Sequence, residues 1–157
     1  MDEKALREVV DAVVRQVTGN LTLDTARRLS AQVRAEATRL GVKAVVAVAD
    51  RAGRPILVEC MDDAYIASFD IAVNKAFTVT ALKMSTSELK PLAQPGGSLY
   101  GIQFTNDGKI VIFGGGEPLK RGDAVVGGLG VSGGSEEQDT ALAAYGKRIF
   151  ETSGGIR

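Results

Sequence analysis

Few residues in this chain can do chemistry, and one absence narrows them at once. None of the 157 residues is histidine, which removes the commonest general base, the commonest zinc ligand and the usual haem axial ligand together. Serines at 85, 87 and 132 therefore have no imidazole partner, and any of them acting as a nucleophile needs a lysine base. No catalytic set emerges. Asn74, Lys75 and Thr78 stand at i, i+1 and i+4 of a helical stretch, which puts Asn74 and Thr78 on one face. Lys75 is a lone cation among alanines; it reads either as an anchor for a ligand carboxylate or phosphate, or as a chain that snorkels to solvent. Cys60-Met61-Asp62-Asp63 offers two sulfurs with no further Cys or His, a poor zinc site and a better packing element. No metal site is expected. The pairs Asp62-Asp63 and Glu136-Glu137 read as solvated helix starts.

Glycine supplies the other chemical signal. Gly114-Gly115-Gly116-Glu117 reads as the end of a strand where a ligand or a neighbouring subunit approaches closely, or equally as a loop with demanding geometry. Ser132-Gly133-Gly134 leads into a helix, and free backbone N–H groups there suit an anion or a carboxylate, although Glu136 and Glu137 partly fill that role. The run from Gly128 to Gly133 spells G-x-G-x-x-G. A dinucleotide site needs a further strand carrying an acidic residue about 20 positions on, and only one helix and a short tail follow. The Rossmann reading is rejected, and the glycines are expected to let a central strand lie against another backbone.

The elements that position these residues follow from periodicity. Residues 3–17 read as an amphipathic helix with Leu6, Val9, Val10, Val13 and Val17 on one stripe. Valine is a mediocre helix former, so this stripe needs a partner surface, either its own domain or another protein. Thr18-Gly19-Asn20 reads as a linker. A second helix runs from a Thr22 N-cap to Gly41, where an αL cap is expected. Residues 43–49 read as a buried strand, 50–53 as a hairpin turn and 55–60 as the returning strand. The longest helix spans 63–84, its alanines implying close packing. Pro91 and Pro95 mark a loop, 104–113 a second hairpin around Asn106-Asp107-Gly108, 124–131 a glycine-laced central strand, and 136–150 the closing helix. The order is α-α-β-β-α-β-β-β-α, an α+β domain with a largely antiparallel sheet.

Composition sets the outer bounds. Nineteen basic and nineteen acidic residues balance, leaving no bulk charge to attract nucleic acid or anionic lipid. No apolar run approaches the ~20 residues that span a bilayer, the N-terminus has no secretory h-region, and one cysteine suits a reducing cytosol. A cytoplasmic protein with no nucleic-acid or membrane partner is expected. An apolar helix stripe and glycine loops favour a homo-oligomer.

The stretch Ala72-Val73-Asn74-Lys75-Ala76-Phe77-Thr78, the block at 114–139 with its GVSGG run and Gln138-Asp139, and Leu21-Thr22-Leu23 together resemble the GlcG/HbpS family, which includes the C-terminal domains of PduO-type proteins. The likeness covers roughly residues 20–150. It implies a profilin-like three-layer α/β/α fold with a five-stranded antiparallel sheet, often oligomeric, in a family whose members include haem binders, proteins described as haem-degrading, and neighbours of corrinoid adenosyltransferases in diol utilisation. Haem or corrinoid is thus the implied ligand, although the chain has no adenosyltransferase domain and no histidine to hold haem iron. Residues 1–19 separately resemble the encapsulation peptides of microcompartment cargo, so residues 20–157 are expected to form the family domain and the N-terminal helix to bind a shell protein. The leading reading is a non-catalytic small-ligand-binding protein of a diol-utilisation microcompartment, using Asn74, Lys75, Thr78, 114–117 and 132–134. The alternatives are an enzyme on a small organic substrate, with Lys75 as its cationic contact, and a ligand-free oligomeric scaffold.

Overall fold

The computed structural model describes residues 2–18 and 21–152, with side chains described for 2–14 and 21–152. Five helices and four strands follow in the order α1 (Glu3–Thr18), α2 (Leu23–Arg39), β1 (Val45–Asp50), β2 (Pro55–Cys60), α3 (Ile66–Leu82), α4 (Thr86–Leu92), β3 (Gly116–Arg121), β4 (Ala124–Ser132) and α5 (Glu136–Thr152). All strand pairs are antiparallel, in the order β2-β1-β4-β3.

Period-two alternation along β1 builds two cores. Val46 and Val48 join Leu29 and Val33 of α2 and Leu142 and Phe150 of α5 on one face; Val45, Ala47 and Ala49 meet Ala72 and Ala76 of α3 on the other. The sheet is therefore sandwiched between α2 and α5 on one side and α3 on the other. The α3 side is built from small residues so that helix and strand backbones touch. A Cβ at Gly130 would collide with the Ala72 carbonyl, and one at Gly128 with the Ala76 carbonyl. Strand 124–131 is interior and its glycines are buried, as its composition predicts.

Helix ends follow local chemistry. Thr22 Oγ1 accepts from Thr25 N–H at 3.1 Å, and α2 closes on Gly41 (φ +71°) with Gly41 N–H to Thr38 O and Val42 N–H to Ala37 O, the paired bonds of a Schellman motif. At the β1–β2 turn, Asp50 Oδ1 accepts from the N–H groups of Ala52 and Arg54.

Three expectations are corrected. Among the described residues the sheet has four strands, not five: neither strand of the hairpin expected at 104–113 forms, and β3 is gained. Ile102–Phe104 and Asn106–Gly108 are short 3-10 turns, and Ile110 and Val111 are buried as irregular chain, held by Val111 N–H on Thr78 Oγ1 at 3.0 Å. The glycine triplet precedes and opens a strand, β3, where the sequence suggests the end of one. Pro118 is tolerated inside it because β3 is an edge. The loop expected around Pro91 contains α4, capped by Ser85 Oγ on Glu88 N–H at 3.0 Å.

Helix α1 comes near β3 and β4 but keeps its stripe out: Leu6, Val9, Val10 and Val13 are each about half exposed. The side chain of Val17 lies outside the described residues. No helix among the described residues is long and apolar enough to cross a membrane.

Candidate functional site

Two charges lie on stripes that are otherwise apolar. On α3 the buried residues Ala72, Lys75, Ala76 and Val79 are spaced i, i+3, i+4 and i+7; on α5 so are Asp139, Leu142, Ala143 and Gly146. The fold brings the two charges together. Lys75 Nζ lies 2.8 Å from Val131 O and 3.3 Å from Asp139 Oδ2, with side-chain exposures of 0% and 6% for the ion pair. Burial pushes the Lys75 ammonium below its ordinary range, with Asp139 opposing the shift. Burial likewise pushes the Asp139 carboxyl upward, against the Gly134 N–H and Lys75. Such a pair costs desolvation energy on both partners, and its placement at a cleft makes it a functional candidate.

That cleft, about 320 Å3, opens where α3 and α5 begin and β4 ends, and is lined by Tyr65, Ser68, Phe113, Ser132, Glu136 and Asp139 among others. Ser132 Oγ and Ser68 Oγ are buried and 3.1 Å apart. Phe113 lies over Lys75 with its ring centre 5.1 Å from Nζ. On the rim, Glu136 accepts from Lys90 Nζ at 2.6 and 2.8 Å and from Gly114 N–H at 3.1 Å, and these bonds, led by Lys90, hold its carboxyl below the ordinary 4.5. Around the first turn of α3, Tyr65, which lines the cleft, is 73% exposed, and Ile66 at 97% and Phe69 at 47% are exposed outside that lining.

The sequence candidates divide around this cleft. Ser132, Gly133 and Gly134 line it, and several of the backbone amides expected to be free there are engaged. Gly134 N–H donates to Asp139 Oδ1 at 2.8 Å, and Ser135 and Gln138 form a reciprocal capping box. Lys75 does not snorkel; it lies under the cleft wall. Gly115 (φ +114°) backs it so closely that a Cβ would stand 2.5 Å from Nζ. Gly114 anchors on Glu136, while Gly116 donates to Thr86 Oγ1 at 2.9 Å. Thr78 is buried, its hydroxyl 2.7 Å from Asn74 O; it ties down the 109–111 segment, and neither it nor Asn74 lines the cleft. Glu117 is also elsewhere: burial raises its carboxyl, and the charges it feels are Lys147, Glu88 and Glu151.

Asp139, Glu136, Phe113 and Ser68 are the residues sequence reasoning missed. Asp139 carried a usable signal, since a carboxylate on a helix's apolar stripe demands a buried cation, and Lys75 occupies the matching position on α3. A second cleft of about 560 Å3, between α2 and the end of β2, is lined by Arg34, Lys43, Cys60 and Met61. Met61 Sδ accepts from Ala44 N–H at 3.4 Å there. Among the described residues no three potential metal ligands converge.

Residues 21–148 match the family model described as haem degrading protein HbpS-like. An uncharacterized 15.0 kDa protein of Citrobacter freundii from the dhaT-dhaS intergenic region is 44% identical over 128 residues, covering 82% of this chain and 90% of that one. The corrinoid adenosyltransferase PduO of the same organism is 36% identical over 95% of this chain, which corresponds to only 46% of PduO. The crystal structure of a PduOC:heme complex superposes with a TM-score of 0.79 at 38% identity, covering 82% of this chain and 94% of the other.

Proposed function

The chain belongs to the HbpS-like family of haem degrading proteins, and on that premise we propose that it is a small-ligand-binding accessory protein whose cleft takes a tetrapyrrole, haem or corrinoid. The observation that carries this reading is the lining of the cleft, where Tyr65 and Phe113 stand with Ile71 of α3. Two part-exposed aromatic side chains beside an aliphatic one make a wall that a flat, apolar macrocycle covers well.

The residues present fit such a group in one respect. Tyr65 lines the cleft, and a tyrosine phenolate is an established type of haem-iron ligand. Lys43, on the adjoining rim with Tyr65 and Gly133, is ion-paired with Asp63 at 3.4 Å, so that rim adds no unmatched cation. The iron or cobalt centre supplies the redox and ligand chemistry when bound; the chain's own residues orient the ring and exclude water from one face.

The half-exposed stripe of α1 supports a docking role for this helix, with a microcompartment shell protein of a diol-utilisation system as its proposed partner. Homo-oligomerisation through the exposed surface belongs to the same proposal.

Titration of the purified full chain with haemin and with dicyanocobinamide, followed by absorbance, tests the ligand reading. A saturable spectral shift is expected with at least one of them. Ile71→Asp should weaken binding about tenfold by placing a charge against the ring, and Tyr65→Phe should remove an oxygen-ligand signature from the haem spectrum. Failure of both tetrapyrroles to bind at micromolar concentration overturns the reading.

A further inference from the structure

The ammonium of Lys75 has three N–H donors. Two have oxygen acceptors, Val131 O at 2.8 Å and Asp139 Oδ2 at 3.3 Å. Toward the cleft it meets the Phe113 ring, centred 5.1 Å away. That ring belongs to the irregular 110–115 segment and is itself 39% exposed in the cleft wall. The segment is held at its ends by Val111 N–H on Thr78 Oγ1 and by Val131 N–H on Gly115 O, and next to the ring by Gly114 N–H on Glu136, which Lys90 holds in turn. An aromatic face attracts a buried cation, but an oxygen acceptor forms a stronger, directional charge-assisted bond.

Resting on the cleft reading above, we infer that Lys75 is the cleft's ligand-anchoring donor, covered by Phe113 until a neutral carbonyl oxygen of the ligand takes the ring's place. Charge selects the neutral group. Lys75 is matched by Asp139, and Lys90 matches Glu136 at 2.6 Å, so the site has no net positive charge. An entering carboxylate would lose its hydration and face two carboxylates. A ketone, aldehyde or amide oxygen loses far less, and the Ser68–Ser132 hydroxyl pair at 3.1 Å can orient the same group. Applied to tetrapyrroles, this geometry favours the amide side chains of a corrinoid over the propionates of haem.

Pulse acetylation of the full chain with acetic anhydride, read by mass spectrometry at each lysine, tests the cover and the contact separately. Lys75 should be nearly inert in the wild type. In Phe113→Ala it should label roughly ten times faster, while Lys109, which sits over Phe77 at 5.6 Å, keeps its rate as an internal control. Glu136→Ala, which frees Gly114 without touching the core, should raise Lys75 labelling in the same direction and stands in if the Phe113 variant is globally loosened. Dicyanocobinamide should restore protection of Lys75 in Phe113→Ala, and haemin should restore less. Unchanged Lys75 labelling in both variants overturns the cover. Faster labelling that dicyanocobinamide leaves unprotected, or protection by haemin equal to that by dicyanocobinamide, overturns the neutral-carbonyl contact. The labelling rates need no added ligand, so the cover is judged even if neither tetrapyrrole binds.

Discussion

Replacing Lys75 with methionine removes one charge from a pair whose side chains are 0% and 6% exposed while keeping most of the volume. The Asp139 carboxylate then keeps the Gly134 N–H at 2.8 Å but loses its counter-charge in a buried setting. Breaking such a pair costs about 3–5 kcal/mol, a large share of the roughly 5–15 kcal/mol that holds a domain together. For a chain of this size it corresponds to a melting point lowered by about 6–20 °C. The penalty should depend on pH with a definite sign. Burial without Lys75 raises the folded carboxyl further above its unfolded value, so the folded state holds a proton that the unfolded state has released. The deficit is then largest at neutral and higher pH and shrinks as acid protonates Asp139 in both states. The double variant Lys75→Met/Asp139→Asn removes the stranded charge yet keeps an amide oxygen for Gly134, and should recover at least half of the loss. Urea unfolding of the three proteins at pH 7, with equal m-values, measures all of this. A loss below about 1 kcal/mol for Lys75→Met, or a double variant no more stable than the single one, would show that the pair is not the enclosed, mutually dependent unit described above.

Gly130→Ala forces a methyl group into the Ala72 carbonyl and should cost about 3 kcal/mol or more, beyond ordinary overpacking; calorimetry showing an unchanged midpoint would contradict the backbone contact between α3 and β4. Glu117→Gln should stabilise the protein at pH 7, because burial raises that carboxyl and its ionisation therefore works against the folded state above its unfolded pKa; the gain should vanish as pH falls below the ordinary 4.5, as thermal melts across pH will reveal. Deleting residues 2–18 should leave the melting point of the remaining domain nearly unchanged, since the described stripe of α1 is half exposed, whereas a drop of many degrees would place that stripe in a core.

What the sequence made legible was whatever depends on period and local chemistry. Thr22 and Gly41 bound α2, Asp50-Arg51-Ala52-Gly53 turns β1 into β2, and the glycines of β4 mark the strand that α3 presses against. Each of these is decided within a few residues. The 104–113 segment was not legible, because its Asn-Asp-Gly run carries hairpin chemistry while its buried residues are fixed by Thr78, a partner on a distant helix. Glu117-Pro118 concealed a strand because proline argues against β structure unless the strand is an edge, and edge position is a property of the whole sheet. At the cleft, Lys75 stood out by type, but its partner Asp139 lies 64 positions away in sequence, and only the packing of α3 and α5 joins them.

The strand order has a consequence for how the chain reaches this state. β1 pairs on one side with β2, its neighbour in sequence, but on the other side with β4, so that Val45 waits for Ser132. During synthesis the β1–β2 hairpin emerges early with one long side of β1 unsatisfied, and that side stays open until nearly the whole domain has left the ribosome. Pairings of this range make collapse slow and late, and an unclosed Val-Val-Ala-Val-Ala edge is a template for intermolecular pairing meanwhile.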